Sequence, residues 1–179
     1  MKFDRELKIG KPNSLGNTLK VVKHVKSNPK TFSKLIRLLN HSDSIIAMRA
    51  MNATKRLMRE NDDFFKPIKK DLLVKYSKTK HNVVKLGLIT VYFDFLEHYS
   101  DLEIKKIKNL ALKWAKTNKD WMVLAQCLKL LEKLAKKDIS LQNQLKSISK
   151  NLSKDPRKVI ATKAKKILES FKENDLKLR

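Results

Sequence analysis

The sequence predicts an all-α protein assembled from repeated helices, and three observations carry that reading. The stretch Asp120 to Lys137 (DWMVLAQCLKLLEKLAKK) places Leu124, Leu128, Leu131 and Ala135 four, three and four residues apart. That spacing puts them along one stripe of a helix, with Lys129, Glu132, Lys133, Lys136 and Lys137 off the stripe. The same four slots recur as Ile46, Ala50, Ala53, Leu57, then Val84, Leu88, Val91, Phe95, and again as Ile160, Ala164, Ile167, Phe171, at steps of 38 (46 to 84), 40 (84 to 124) and 36 (124 to 160). Finally, only three Gly and four Pro, with almost no β-branched alternation, leave little turn chemistry for a sheet.

The elements follow in order. Residues Met1 to Asn13 alternate charge with single apolar residues and read as a mobile lead-in or a frayed turn of helix, so residues 1–13 stand apart from a single domain over 14–179. A first helix carries Leu15, Leu19 and Val22 inward and stops at Ser27, Asn28 and Pro29. A second, from about Pro29 to Asn40, uses Pro29 near its first position and buries Phe32, Leu35 and Leu39. The third opens after Ser42 or Asp43 and runs to Glu60. Asn61, Asp62 and Asp63 cap a fourth, in which Phe65, Ile68 and Leu72 point inward up to about Tyr76, with Pro67 in or just after the first turn.

The fifth, about Thr79 to Tyr99, is the most apolar. Ser100 or Asp101 starts the sixth, which buries Ile107, Leu110 and Trp114, and Thr117 to Asp120 turns into the Asp120 to Lys137 helix. An eighth, about Ile139 to Ser153, buries Leu145, Ile148 and Leu152. Asp155 and Pro156 read as N-cap and first helical residue of a ninth, ending near Lys172.

The even helices repeat among themselves, each with apolar gaps of three then four. Two interleaved ladders therefore alternate along the chain, as in an α-solenoid whose helix pairs cannot bury their apolar faces alone. Asp155, Pro156, Arg157, Ala161 and Ala164, with Arg49, Ala50, Ala53, Leu72 and Leu73 in an earlier copy, form a pattern that resembles HEAT repeats. The resemblance implies a right-handed α-solenoid of about four HEAT-type helix pairs plus a closing helix, with the second helix of each pair lining a concave face.

Composition points to the class of partner. Lys and Arg number 42 against 18 Asp and Glu, a formal net charge of +24, which attracts polyanions. The single cysteine, Cys127, excludes an internal disulfide and reads as a small buried hydrophobe. The N-terminus has no apolar leader core and no run approaches a membrane span, so a soluble cytoplasmic monomer is expected. Gly10, Gly16 and Gly87 are isolated and form no phosphate loop, and His24, His41, His81 and His98 have no metal spacing, so no cofactor or metal is expected. Asp94 and His98 sit one helical turn apart, a spacing that orients an imidazole but comes without a nucleophile.

Counting from the first inward residue of each even helix, position one is Ser33, Lys66, Lys108 and Lys146, and position five is Arg37, Lys70, Leu112 and Lys150. These lie opposite the apolar stripe. In the arrangement the resemblance implies, Arg37, Lys66, Lys70, Lys108, Lys146 and Lys150 form a basic stripe able to track a phosphate backbone. Trp114 falls in an inward slot, whereas Trp121 lies off the stripe and joins the candidate nucleic-acid-binding set.

The expected function is a non-catalytic binding module for DNA or RNA, with an acidic protein as the alternative partner. A weaker resemblance to HEAT-like alkylpurine DNA glycosylases, in basicity, size and paired tryptophans, implies a further alternative. It lacks a match to that branch's catalytic aspartate, because Ala125 stands one turn after Trp121 and the nearby acids are Asp120 and Glu132.

Overall fold

The computed structural model describes residues 1–177, so the last two residues of the expected domain lie outside it. Ten α-helices, linked in part by short 3₁₀ turns and with no strand, make up the described residues: α1 Phe3–Lys8, α2 Thr18–Ser27, α3 Phe32–Arg37, α4 Ser44–Glu60, α5 Lys69–Val74, α6 Asn82–Asp94, α7 Asp101–Thr117, α8 Trp121–Ala135, α9 Ile139–Leu152 and α10 Lys158–Lys177. Helices α2 to α10 are the nine that the periodicity predicts. All sixteen residues of the odd-helix ladder are buried. Among the described residues, no helix is long and apolar enough to cross a membrane.

The chain divides into two compact units, residues 1–91 and 92–179. In the first, α4 packs against α1, α2 and α3. In the second, α8 packs against α7, α9 and α10 and buries Val123, Leu124, Cys127, Leu128, Leu130, Leu131 and Ala135. Each Leu or Val in that set contributes about 1.5–3 kcal/mol of transfer free energy, which makes α8 the core of its unit.

The N-terminal lead-in differs from expectation. Residues 3–8 form α1, with Phe3 and Leu7 buried. What holds them is Arg49 of α4, fully buried, whose guanidinium donates to four backbone carbonyls. These are Leu7 at 2.7 Å, Ile9 at 2.8 Å, Lys11 at 2.6 Å and Ser14 at 3.0 Å. Gly10 and Gly16 take positive φ of 99° and 49° to wrap the chain around it.

Two helices, α3 and α5, are shorter than the pattern suggests. The second predicted helix is α only over Phe32–Arg37, between 3₁₀ turns at Pro29–Thr31 and Leu38–Asn40. In the fourth, Pro67 has no N–H to donate and its ring crowds the preceding turn, so that stretch forms 3₁₀ turns and α5 starts only at Lys69. Helix α6 ends at Asp94 rather than Tyr99, and His98 sits in a following 3₁₀ turn with its ring tilted against Phe95.

Helices α4, α6, α8 and α10 share one entry turn. Two residues ahead of each start, a side chain accepts the N–H of the residue that opens the helix. His41 Nδ1 takes Asp43 N at 3.0 Å, Thr79 Oγ1 takes His81 N at 3.2 Å, Asn118 Oδ1 takes Asp120 N at 2.8 Å, and Asp155 Oδ1 takes Arg157 N at 2.9 Å. Asp155 is therefore not the N-cap of α10 but the acceptor of this turn, two residues earlier than the opening Arg157.

The turns also fix the register. Helix-opening residues 43, 81, 120 and 157 place Ile46, Val84, Val123 and Ile160 in one slot, followed by Ala50, Leu88, Cys127 and Ala164 in the next. In α8 this lane runs one residue before the Leu124 lane, and both lanes are buried. In two turns the opening side chain reaches back to the preceding one: His81 Nε2 donates to His41 O at 2.9 Å, and Arg157 Nη1 donates to Lys119 O at 2.8 Å.

Candidate functional site

Eight of the chain's carboxylates, those of Glu6, Asp43, Glu60, Glu103, Asp120, Glu132, Asp138 and Asp155, cap helices or hold neighbouring side chains. Asp43 Oδ1 accepts from Ile45 N and Ile46 N at the start of α4, and its other oxygen meets Lys8. Asp120 Oδ1 caps α8 through Met122 N at 2.9 Å and Val123 N at 3.2 Å. Ser100 and Glu103 form a reciprocal capping box on α7. Glu6 holds Asn17 and Lys20, Glu60 holds Lys26, and Glu132 lies 4.0 Å from Lys163.

Asp155 grips the Arg157 guanidinium with both oxygens, and this side-chain contact, aided by the Arg157 N–H, pulls its carboxyl down to about 2. Residues 1–91 carry 21 Lys and Arg against 7 Asp and Glu, and residues 92–179 carry 21 against 11, so each unit is left strongly basic.

The expected site residues fall into three conditions. Arg37, at the end of α3, Lys70, in the first turn of α5, and Lys150, late in α9, are exposed and make no ion pair among the described residues. Lys66 is exposed and only loosely opposed by Asp63 at 3.8 Å, while Lys146 is half-buried with its Nζ 5.7 Å from the Phe171 ring centroid. Lys108 is captured: its Nζ donates to Asp138 Oδ2 at 2.7 Å, while Asp138 Oδ1 caps α9 through Leu141 N at 2.9 Å. The lysine contact, helped by that backbone bond, keeps the Asp138 carboxyl below its usual range. Trp121 opens α8 and is 45% exposed beside Met122 at 39%, whereas Trp114 is buried, as its slot requires.

Within the second unit, Lys146 and Lys150 share one face of α9, one turn apart. Lys108, on α7, lies at the other end of that helix, against its N-cap Asp138. Among the described residues there is no cluster of three or more His, Cys, Asp or Glu that would hold a metal ion. Cys127 is buried and free, and burial pushes its thiol up to about 12.

A family model described as a HEAT repeat domain matches residues 7–171. The chain belongs to the HEAT-repeat family. That membership makes it a repeat scaffold, in agreement with the two helical ladders. No curated protein and no solved structure matches the chain.

One feature of this HEAT-repeat chain escaped the helical periodicity. A cleft of about 720 Å³ opens in the second unit between the start of α7 and the end of α8, with Leu96, Ile104 and Leu134 among its lining residues and several lysines around it. In the sequence Lys133, Lys136 and Lys137 read only as residues off the apolar stripe of α8. The cleft depends on the turn before α7, a tertiary neighbour that no local pattern supplies.

Proposed function

We propose that the chain is a non-catalytic scaffold that binds the phosphate backbone of nucleic acid through cations on the outward faces of its second helices. The supporting observation is the asymmetry in the use of charge. Eight acids cap helices or pair internally, while Arg37 and Lys70 in one unit and Lys150 in the other keep exposed cations with no ion pair among the described residues, with Lys66 and Lys146 as further cations of the set. Lys108 contributes little, since Asp138 already neutralises it. Trp121 offers one apolar contact. A single exposed tryptophan provides no series of stacking platforms, which favours backbone contact over reading of unstacked bases. Asp120 caps α8 and Glu132 pairs with Lys163, so neither acid near Trp121 serves as an uncommitted base for the glycosylase alternative.

Fluorescence anisotropy of labelled duplex DNA and duplex RNA across a salt series tests this reading. Arg37→Glu with Lys70→Glu, and separately Lys146→Glu with Lys150→Glu, should each weaken binding and lower the salt slope by about 2, one per lost phosphate contact. Lys158→Glu with Lys165→Glu, exposed lysines on α10, is the charge-matched control. Equal loss in the control, or no binding at near-physiological salt, overturns the assignment.

A further inference from the structure

The cleft beside α7 and α8 has the wrong lining for a phosphodiester and the right one for a different ligand. Its volume, about 720 Å³, falls in the range of ligand sites, roughly 300–1,000 Å³. Leu96, Ile104 and Leu134 are half-buried aliphatic side chains that line it, so an occupant gains by placing apolar surface there. A sugar-phosphate backbone has no such group to insert, and pressing a phosphate against aliphatic carbon costs hydration that nothing returns.

The charges around the cleft have a direction. Lys108 and Asp138 cancel one another, and Lys133 is held by Phe93, with its Nζ 3.2 Å from the carbonyl oxygen and 4.5 Å from the ring centroid. That leaves Lys105 on α7 and Lys136 and Lys137 just past α8 as exposed cations with no ion pair among the described residues, and Glu97, on the turn before α7, and Asp101, its first residue, as the exposed acids of the lining. The α8 side is thus cationic, beside an aliphatic lining.

We propose that this cleft docks an acidic peptide segment of a partner protein, which inserts one large apolar side chain among Leu96, Ile104 and Leu134 while its flanking carboxylates meet Lys105, Lys136 and Lys137. The surface is separate from the phosphate-binding residues and does not depend on that reading.

The test uses the full chain and labelled heptapeptides Glu-Asp-Glu-X-Asp-Glu-Asp, with X as Ala, Leu, Phe or Trp, followed by anisotropy. The Leu, Phe or Trp peptide should bind at least about tenfold tighter than the Ala peptide, the discrimination expected from burying one large apolar side chain. Lys136→Glu with Lys137→Glu should weaken it by about tenfold or more, and Glu97→Lys should tighten it, a gain that misfolding cannot imitate. Binding by none of the peptides, equal binding across the X series, indifference to the lysine reversal, or displacement of the bound peptide by duplex DNA that itself requires Lys136 and Lys137 would each overturn the proposal.

Discussion

Removing Arg49 should release the first sixteen residues without unfolding the rest. Its guanidinium is, among the described residues, the only side chain that ties the carbonyls of Leu7, Ile9, Lys11 and Ser14 together, at 2.6–3.0 Å. At about 1.5 kcal/mol per charge-assisted bond the gross value is about 6 kcal/mol. Part of that returns on mutation, because only the Leu7 bond is fully buried and the other carbonyls can take up water. A net loss of about 3–5 kcal/mol follows, the range for breaking a buried charged contact. Arg49→Lys should lose most of it as well, since one ammonium cannot span four carbonyls that a planar fork can.

The readout is hydrogen exchange of the α1 amides, which should quicken by about a hundredfold or more for a 3 kcal/mol loss, with chemical denaturation alongside. Gly16→Ala should act in the same direction. Its φ of 49° disfavours a side chain, and the new Cβ would meet Ile9 O and stand 2.8 Å from Arg49 Cζ. If both Arg49 variants leave α1 exchange unchanged and stability within about 0.5 kcal/mol, the clasp is not what holds the N-terminus.

Three further outcomes are expected. Gly87→Ala in α6 gains about 1 kcal/mol of helix propensity but drives a Cβ into Met51, with Met51 Cε at 2.9 Å, so net destabilisation of up to about 2 kcal/mol is expected by denaturation. The same change in a Met51→Ala background should turn stabilising; destabilisation in both backgrounds refutes the clash. Asp155 is held to about 2 mainly by the Arg157 side chain, against roughly 3.9 when unfolded. A depressed carboxyl adds stability that is present above the unfolded value and lost as pH falls toward 2, so Asp155→Asn should flatten the acid limb of a stability–pH curve between about 4 and 2. Cys127, pushed up to about 12 by burial, should react with a disulfide reagent at pH 8 only through opening of α8, at a rate that rises with denaturant; rapid modification of the native protein contradicts its placement.

Most of the fold was legible because the apolar stripes are long and repeated. The misreadings have physical causes. Helix α8 has apolar side chains at 123 and 124, at 127 and 128, and at 130 and 131, so two adjacent lanes are both buried and hydrophobicity alone does not choose between them. The entry turn chooses, through a hydrogen bond that His, Thr, Asn and Asp all supply in this chain. No residue type marks it. For the same reason Asp155 and Pro156 read as a helix start when they form the turn before it. Helix α1 was legible only as one of two alternatives, a frayed helical turn, because two apolar residues among charges do not decide it and its anchor, Arg49, lies 42 residues from the Leu7 carbonyl it holds.

The site was legible to a different depth, and Lys108 shows why. Periodicity places it correctly on the outward side of α7, yet its charge is not available, because Asp138, 30 residues on, needs a cation beside the carboxylate that caps α9. Whether a lysine is free thus depends less on its own helix than on where the acids are required. Those requirements are themselves partly readable: Asp43, Asp120 and Asp138 each stand immediately before a helix and cap it. A basic repeat protein read with its capping acids first assigned would set aside any lysine facing a cap and keep Arg37, Lys70 and Lys150. By the same reasoning the lysines past the end of α8, where no capping acid but Asp138 intervenes, stay cationic beside an aliphatic lining. The distribution of free charge over these helices is therefore a by-product of how the helices begin.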